Sequence, residues 1–425
     1  MKPALSDISL FSEATLLEPY EAYQTLRDEA PVYFVPEMNL HVITRYELVR
    51  EAIRNTRVFS SQFGDFLAGA QKILFDSAPP AAQQRLLELG AQLVELPPTM
   101  LTLDEPEHTR YRSLVAELFT ASRIRAAQDA VAQVINETID TFAHQERIDF
   151  MSAFANPVPL LIIGDRLGVP RSDRAFFDHA ATEAAGTLRL SPLTPDEQIE
   201  RAETALALQR YLIDLIEARR SQPEEDMISQ LANSTLADEG RPLTHGECLS
   251  ILNQFLVAGH ETTTSAFGWG MLHLAGRPDA QASLRGDAKR TRTFVEEALR
   301  LDAPVQGLPR LVTQDTTLGG VDLPAGSMVM LRFGAANRDE RQFPEPDVLD
   351  LERPKAGAQL AFGSGVHHCI GAPLARQELN LGFAALFDRI DEVTLDTSAP
   401  PPQAEPSFVL RNLPHLPLTV RWRRS

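Results

Sequence analysis

The sequence predicts a mainly α-helical protein with a small β portion, and three observations carry that expectation. Apolar residues return every three or four positions from about residue 106 to residue 300, the period of buried helix faces. Strand-like runs gather near the ends: Val32-Tyr33-Phe34-Val35, Leu40-His41-Val42-Ile43-Thr44, and residues 316–323, 327–331 and 418–420. No strand–helix alternation asks for a parallel α/β sheet.

Composition bounds the rest. The 425 residues, 44% hydrophobic and 23% charged, form an ordinary globular balance. One domain over residues 1–425 is expected, β-rich near 30–60, 305–335 and 390–422 and helical near 106–300 and 372–388. No internal repeat is visible, and the four prolines of residues 399–406 mark a loop. A net charge of −18 argues against nucleic-acid binding, which needs a basic surface. The N-terminus lacks a basic stretch followed by an apolar run, and nothing approaches the ~18–20 apolar residues of a membrane span. A cytoplasmic protein without membrane association is therefore expected. Cys248 and Cys369 are its two cysteines, too few for a disulfide framework. Cys248 lies in an apolar helical pattern and reads as a small buried hydrophobe.

The most informative helix runs from residue 244 to about 275. Thr244 and Glu247 have capping-box spacing, and Gly276-Arg277-Pro278 stops it. It is apolar nearly all round at Ile251, Leu252, Phe255, Leu256 and Val257, so it should cross the interior. Ala258-Gly259-His260-Glu261-Thr262-Thr263-Thr264 then breaks that character with poor helix formers and a buried acid, the mark of a functional segment, with a solvated polar bend as the alternative.

Residues 362–371, Phe-Gly-Ser-Gly-Val-His-His-Cys-Ile-Gly, place three glycines around Cys369. Glycines let the backbone approach a flat object closely. Pro373 then suits the first turn of a helix, whose N-terminal amides and dipole favour a thiolate. Three chemistries compete for that thiolate. A nucleophile needs a base and an oxyanion hole, and only His367 and His368 stand near in sequence. A zinc ion needs four converging ligands, and position 264 is Thr where a zinc-protease signature starting at His260 needs His. Haem ligation needs one cysteine, a glycine-lined approach and cations for the propionates.

Phe362, Gly363, Gly365, His367, Cys369 and Gly371 satisfy FGxGxHxCxG, and here the chain resembles the cytochrome P-450 family. The resemblance extends over nearly the whole chain. It implies the family's fold, a triangular prism-like helical body with a long central helix over haem. It also implies heme b (iron protoporphyrin IX) with Cys369 as axial iron ligand. Glu297-Ala298-Leu299-Arg300 matches the ExxR helix, and Arg353 would complete a network bracing the cysteine loop. His108 and Arg112, spaced i, i+4, match the haem-edge helix and would reach one propionate, while Arg310 and His367 fill the other propionate positions. Ala258 to Thr262 matches (A/G)Gx(D/E)T, with Ala258 against the cofactor. The resemblance makes Thr262 a hydrogen-bond donor to dioxygen and Glu261 a relay of protons from solvent, because splitting O–O needs protons on the distal oxygen.

The implied activity is monooxygenation: one oxygen atom of O2 enters a lipophilic small molecule such as a terpenoid, steroid, fatty acid or aromatic. Electrons would come from a separate ferredoxin and its reductase, docking on Arg110, Arg112 and Arg376, and the enzyme would be a monomer. By family position the substrate pocket includes Phe255, Ala258, Gly259, Val305, Gln306, Leu308, Val409 and Leu410, with Gln306 orienting a polar group. Residues 66–100 would form a lid, with residues 181–190 opposite. A peroxide-using or non-hydroxylating relative would usually lack the Glu261–Thr262 pair, and a non-haem hydrolase with Cys369 as nucleophile is the remote alternative. Two departures concern loop geometry. Glu340 follows Ala336-Asn337-Arg338-Asp339 where the family has proline, and Gln359 replaces a residue that is often basic.

Overall fold

Helices carry the middle of the chain and strands its ends in the computed structural model, which describes residues 2–185, 193–236 and 238–424. The chain divides into two compact units: Met1–Ser60 with Ile124–Pro159 and Thr262–Ser425, and Ser61–Arg123 with Leu160–Glu261.

The first unit holds a five-stranded sheet in the order Val32–Val35, Leu40–Ile43, Met328–Arg332, Gly307–Val312, Phe59–Ser60. Its pairings are antiparallel except Leu40–Ile43 with Met328–Arg332, which is parallel. Side chains alternate between faces along a strand, and both faces are covered. Ile43, Val329 and Leu331 enter one apolar cluster with Val49 and Ile53. Val42 and Met330 enter another with Tyr23 and Leu26. Burial on both sides explains why these strands read as continuous apolar runs. A second sheet joins Ile390–Leu395, Pro417–Trp422 and Arg147–Asp149. The expected strand over residues 316–323 is a hairpin, Thr316–Leu318 with Val321–Leu323. Gly319 and Gly320, at φ +58° and +82°, give the turn its left-handed pair.

The second unit is helical apart from one short hairpin among its described residues. Residues 66–100, expected as a lid, fold mostly into the helices Gly64–Ser77 and Pro80–Gly90. Pro80–Gly90 lies against Pro195–Ser221, where Arg85 meets Glu203 at 2.6 Å. The amide of Gln209 brackets the backbone of Val94, accepting from its N–H at 2.8 Å and donating to its carbonyl at 3.2 Å. Of the opposite segment, residues 181–185 end the helix Arg174–Ala185, and residues 186–190 lie outside the described residues.

The long helix spans His245–Leu274, ~45 Å at ~1.5 Å per residue. Its capping box is formed: Glu247 N–H donates to Thr244 Oγ1 at 3.2 Å, and Thr244 N–H to Glu247 Oε2 at 2.8 Å. Gly276 follows at φ +75°. The helix is continuous through residues 258–264 despite their poor helix formers. Weak helix propensity amounts to less than about 1 kcal/mol per residue, and packing of the buried flanks outweighs it.

Candidate active site

Cys369 stands at the end of a loop that glycine makes possible. Gly363 and Gly365 have φ of +66° and +70°, a conformation L side chains rarely adopt. Cys369 N–H donates to Phe362 O at 2.9 Å and closes the loop, and the helix Ala372–Arg389 begins three residues later. A Cβ on Gly371 would sit 3.8 Å from Cys369 Sγ, so nothing bulky crowds the sulfur there. The cysteine is exposed, His367 is half-buried, and both lie at a helix N-terminus that favours the thiolate. Cys248 is the opposite case: fully buried, its thiol pushed up to about 11 by that burial.

The loop is braced from behind. Glu297 and Arg300 on the helix Ala288–Leu301 are both 0% exposed, so theirs is no surface pair. Arg300 donates to Glu297 through Nε at 2.6 Å and Nη2 at 2.9 Å. Arg353 Nε reaches the same carboxylate at 2.8 Å. Both guanidiniums continue into backbone: Arg300 donates to the carbonyls of Asn337, Pro346 and Val348, and Arg353 to those of Pro344, Glu345 and Val348. Asn337 passes the constraint on, its Oδ1 accepting from Leu360 N–H at 2.6 Å two residues before the loop.

Sequence reasoning missed Glu296, whose only signal was its place beside Glu297. It receives Arg376 Nε at 2.5 Å and Gln359 Nε2 at 3.0 Å. The guanidinium of Arg376 lies 4.4 Å over the Phe362 ring. Gln359, the departure from a basic residue, thus still reaches the carboxylate that holds the loop's first ring. The charge of Arg376 is thus met by Glu296. Arg110 is likewise ion-paired with Glu239 and lies 3.4 Å from Asp238.

Also in the first unit, Arg310 lies 4% exposed in the strand Gly307–Val312, which Leu308 shares. Val305 pairs with Leu410 in an isolated bridge, and Gln306 N–H donates to Val409 O at 2.7 Å. These expected pocket residues are therefore joined into one backbone plate. The amide of Gln306 is turned to Ala303 O, which it donates to at 2.8 Å, and packs against Gly334.

In the second unit, His108 and Arg112 occupy one side of the helix Glu107–Ala116. Burial, then the Arg112 guanidinium, holds the His108 imidazole below its ordinary range, so it is neutral at physiological pH. Phe255 stacks on Phe119 with centroids 5.3 Å apart. Gly259 admits Ile163, which a Cβ would meet at 3.1 Å. Both are tied into packing.

Along the central helix, Gln254, Ala258 and Thr262 recur as accessible positions four residues apart on a mostly buried element. Beside it Glu261 is 4% exposed. In the first unit the donor set fits a haem: one accessible soft thiolate in a glycine loop, and N–H-bearing side chains at Arg310 and His367. Among the described residues no three His, Cys, Asp or Glu side chains gather as a site for a bare metal ion.

The family model described as cytochrome P450 matches residues 94–418. The chain is 35% identical to the cytochrome P450 monooxygenase PikC of Streptomyces venezuelae, over 100% of this chain and 95% of that one. It is 35% identical to the 6-deoxyerythronolide B hydroxylase of Saccharopolyspora erythraea, over 97% and 98% of the two chains. The solved structure of cytochrome P450 CYP109Q5 from Chondromyces apiculatus superposes with a TM-score of 0.82 at 27% identity, over 99% of this chain and 100% of that one.

Proposed function

We propose, from the premise that this chain belongs to the cytochrome P450 family and is a P450 monooxygenase, that it hydroxylates a lipophilic small molecule with electrons from a separate ferredoxin and its reductase. One observation carries the reading at the site: a glycine-built loop presents an accessible thiol at a helix N-terminus, braced by the buried Glu297–Arg300–Arg353 network.

The family implies haem, and we assign it as iron protoporphyrin IX, which Cys369 would hold, with Phe362, Gly363, Gly371 and Ala258 as further residues that would bind it. Bound there, the haem supplies the activation of O2 and the transfer of one oxygen atom to substrate. The protein's own residues do the rest. His108, Arg112, Arg310 and His367 donate hydrogen bonds to the propionates and offset their charge. Thr262 Oγ1 holds a proton at the accessible stripe. Glu261 Oε1 or Oε2, on the same helix, returns protons to it from solvent. Val305, Leu308, Val409 and Leu410 exclude water from an apolar pocket. A relative named as a hydroxylase of 6-deoxyerythronolide B favours hydroxylation over peroxide-driven or rearrangement chemistry. No described helix is long and apolar enough to cross a membrane.

The test is the carbon monoxide difference spectrum of the reduced, purified protein. The strongly red-shifted Soret band of thiolate ligation is expected, and it should vanish in Cys369→Ala. A colourless protein, or an unshifted band, sinks the reading. A lipophilic library screened for the spin-state change on binding would then define the substrate.

A further inference from the structure

Asp302 ends the Ala288–Leu301 helix with a carboxylate that is 2% exposed, yet partners from four other segments meet it. Tyr20 Oη donates to Oδ1 at 2.6 Å, and Arg411 Nε to the same oxygen at 2.6 Å. His273, near the end of the central helix, places Nε2 2.8 Å from Oδ2, and Arg338 lies at 3.6 Å. Burial alone would raise this carboxyl, but Arg411, His273 and Arg338 outweigh it and hold it well below the usual carboxylate range.

Arg411 is the member that leads elsewhere. Its guanidinium, 3% exposed, also donates to Leu17 O at 2.8 Å and lies 4.3 Å over Trp269 and 5.0 Å over Tyr20. Its backbone is as constrained as its side chain. The N–H donates to Pro304 O at 2.9 Å, and the carbonyl accepts from Trp269 Nε1 at 2.8 Å and from Ser265 Oγ. Ser265 stands one turn beyond Thr262 on the central helix. The plate bearing Val305, Val409 and Leu410 is therefore registered on the helix that carries Thr262, with Arg411 as the joint.

We propose that the Asp302–Arg411 pair is a positioning latch that fixes the Val409–Leu410 wall at a set distance from Thr262, and so determines which ligands the pocket admits. Neither residue touches the reacting atoms, and the inference rests on the haem-binding function proposed above. The shape of the group matters as well as its charge, since a guanidinium can bind a carboxylate and stack on two rings together and an ammonium cannot.

The holoenzyme, wild type and Arg411→Lys or Asp302→Asn, is titrated with imidazole and with 4-phenylimidazole, following the Soret shift. Imidazole reads the iron alone, whereas the phenyl ring reads the wall. The ratio of the two dissociation constants is expected to move about tenfold in either variant, with imidazole binding unchanged. Ser265→Ala keeps the ion pair and loosens only the loop's grip on the helix, so it carries the same test if the other variants do not fold, with about a threefold change expected. A merely structural role would lower the melting midpoint and leave the ratio where it was, which would overturn the latch. If neither azole shifts the wild-type spectrum, the haem assignment itself has failed, and the latch falls with it.

Discussion

At the scale of single residues, the deepest constraint is charge without water. Glu297 is the one carboxylate between two buried guanidiniums, so Glu297→Gln keeps the shape and leaves both cations uncompensated. Breaking a buried pair from one side costs about 3–5 kcal/mol. Glu297→Gln should therefore shift the urea midpoint sharply and yield protein with little haem, whereas an unchanged midpoint would show the network to be dispensable. Thr262 calls for the opposite kind of result. It is half-exposed on a stripe of the central helix, so Thr262→Ala should fold and bind haem and substrate as before, while diverting reducing equivalents to peroxide. Product formed in full proportion to O2 consumed would mean protons arrive by another route. Where a motif fixed several positions together, as in the cysteine loop, the candidate residues could be named from the sequence. Where only charge was visible, the partners of that charge could not. Arg110 and Arg376 looked like a basic face, but Glu239, Asp238 and Glu296 reach them from segments remote in sequence.

At the scale of elements, the start of the central helix makes a pH prediction. Glu247 is held down to about 2 by Arg241 first, against burial, with Thr244 and Tyr111 adding hydrogen bonds. Its folded value lies below the ordinary 4.5. Its contribution is therefore present above about pH 4.5 and is lost as pH falls towards 2. Because Arg241 is 38% exposed, the contribution is about 2 kcal/mol after solvent screening. Glu247→Gln should remove about that much at pH 7 and flatten the acid limb of a stability–pH curve. A variant curve parallel to wild type would place the acid sensitivity elsewhere. This helix was legible end to end, because caps, stops and 3.6-residue periodicity are local signals. Its weak residues 258–264 stay helical, since tertiary burial overrides local propensity. Strands fared worse. Gly307–Val312 contains Pro309, and Phe59–Ser60 is only two residues long, so neither is an obvious strand until its partner is known.

At the scale of the whole molecule, folding and cofactor are coupled. A ligand that binds only the folded state stabilises it by about 2.7 kcal/mol at a hundredfold excess over its dissociation constant. Protein made without haem should therefore melt lower than the holoprotein and recover when haem is added, but Cys369→Ala should recover less. Equal midpoints for both forms would separate the fold from the cofactor. The family's fold could be read from the sequence because its signatures are spread along the chain, from His108 to Cys369. The division into two compact units could not, because it follows from which helices pack together.

The Arg300–Arg353 pair has one more consequence, which concerns hydration. Residues 344–348 include Pro344 and Pro346, which have no N–H, so the stretch makes one internal backbone bond, Val348 N–H to Glu345 O at 3.1 Å, and leaves its other carbonyls to outside donors. Its inward carbonyls would ordinarily need water. Here two planar guanidiniums serve as an immobilised solvent shell, and their N–H groups meet the carbonyls of Pro344, Glu345, Pro346 and Val348. Lysine at either position would bring an equal charge with donors radiating from a single point, and some of those carbonyls would go dry. What looks like an ion pair is thus also the solvation of the inward carbonyls of a turn whose other side faces water, and for that purpose the fork of arginine has no substitute among the twenty side chains.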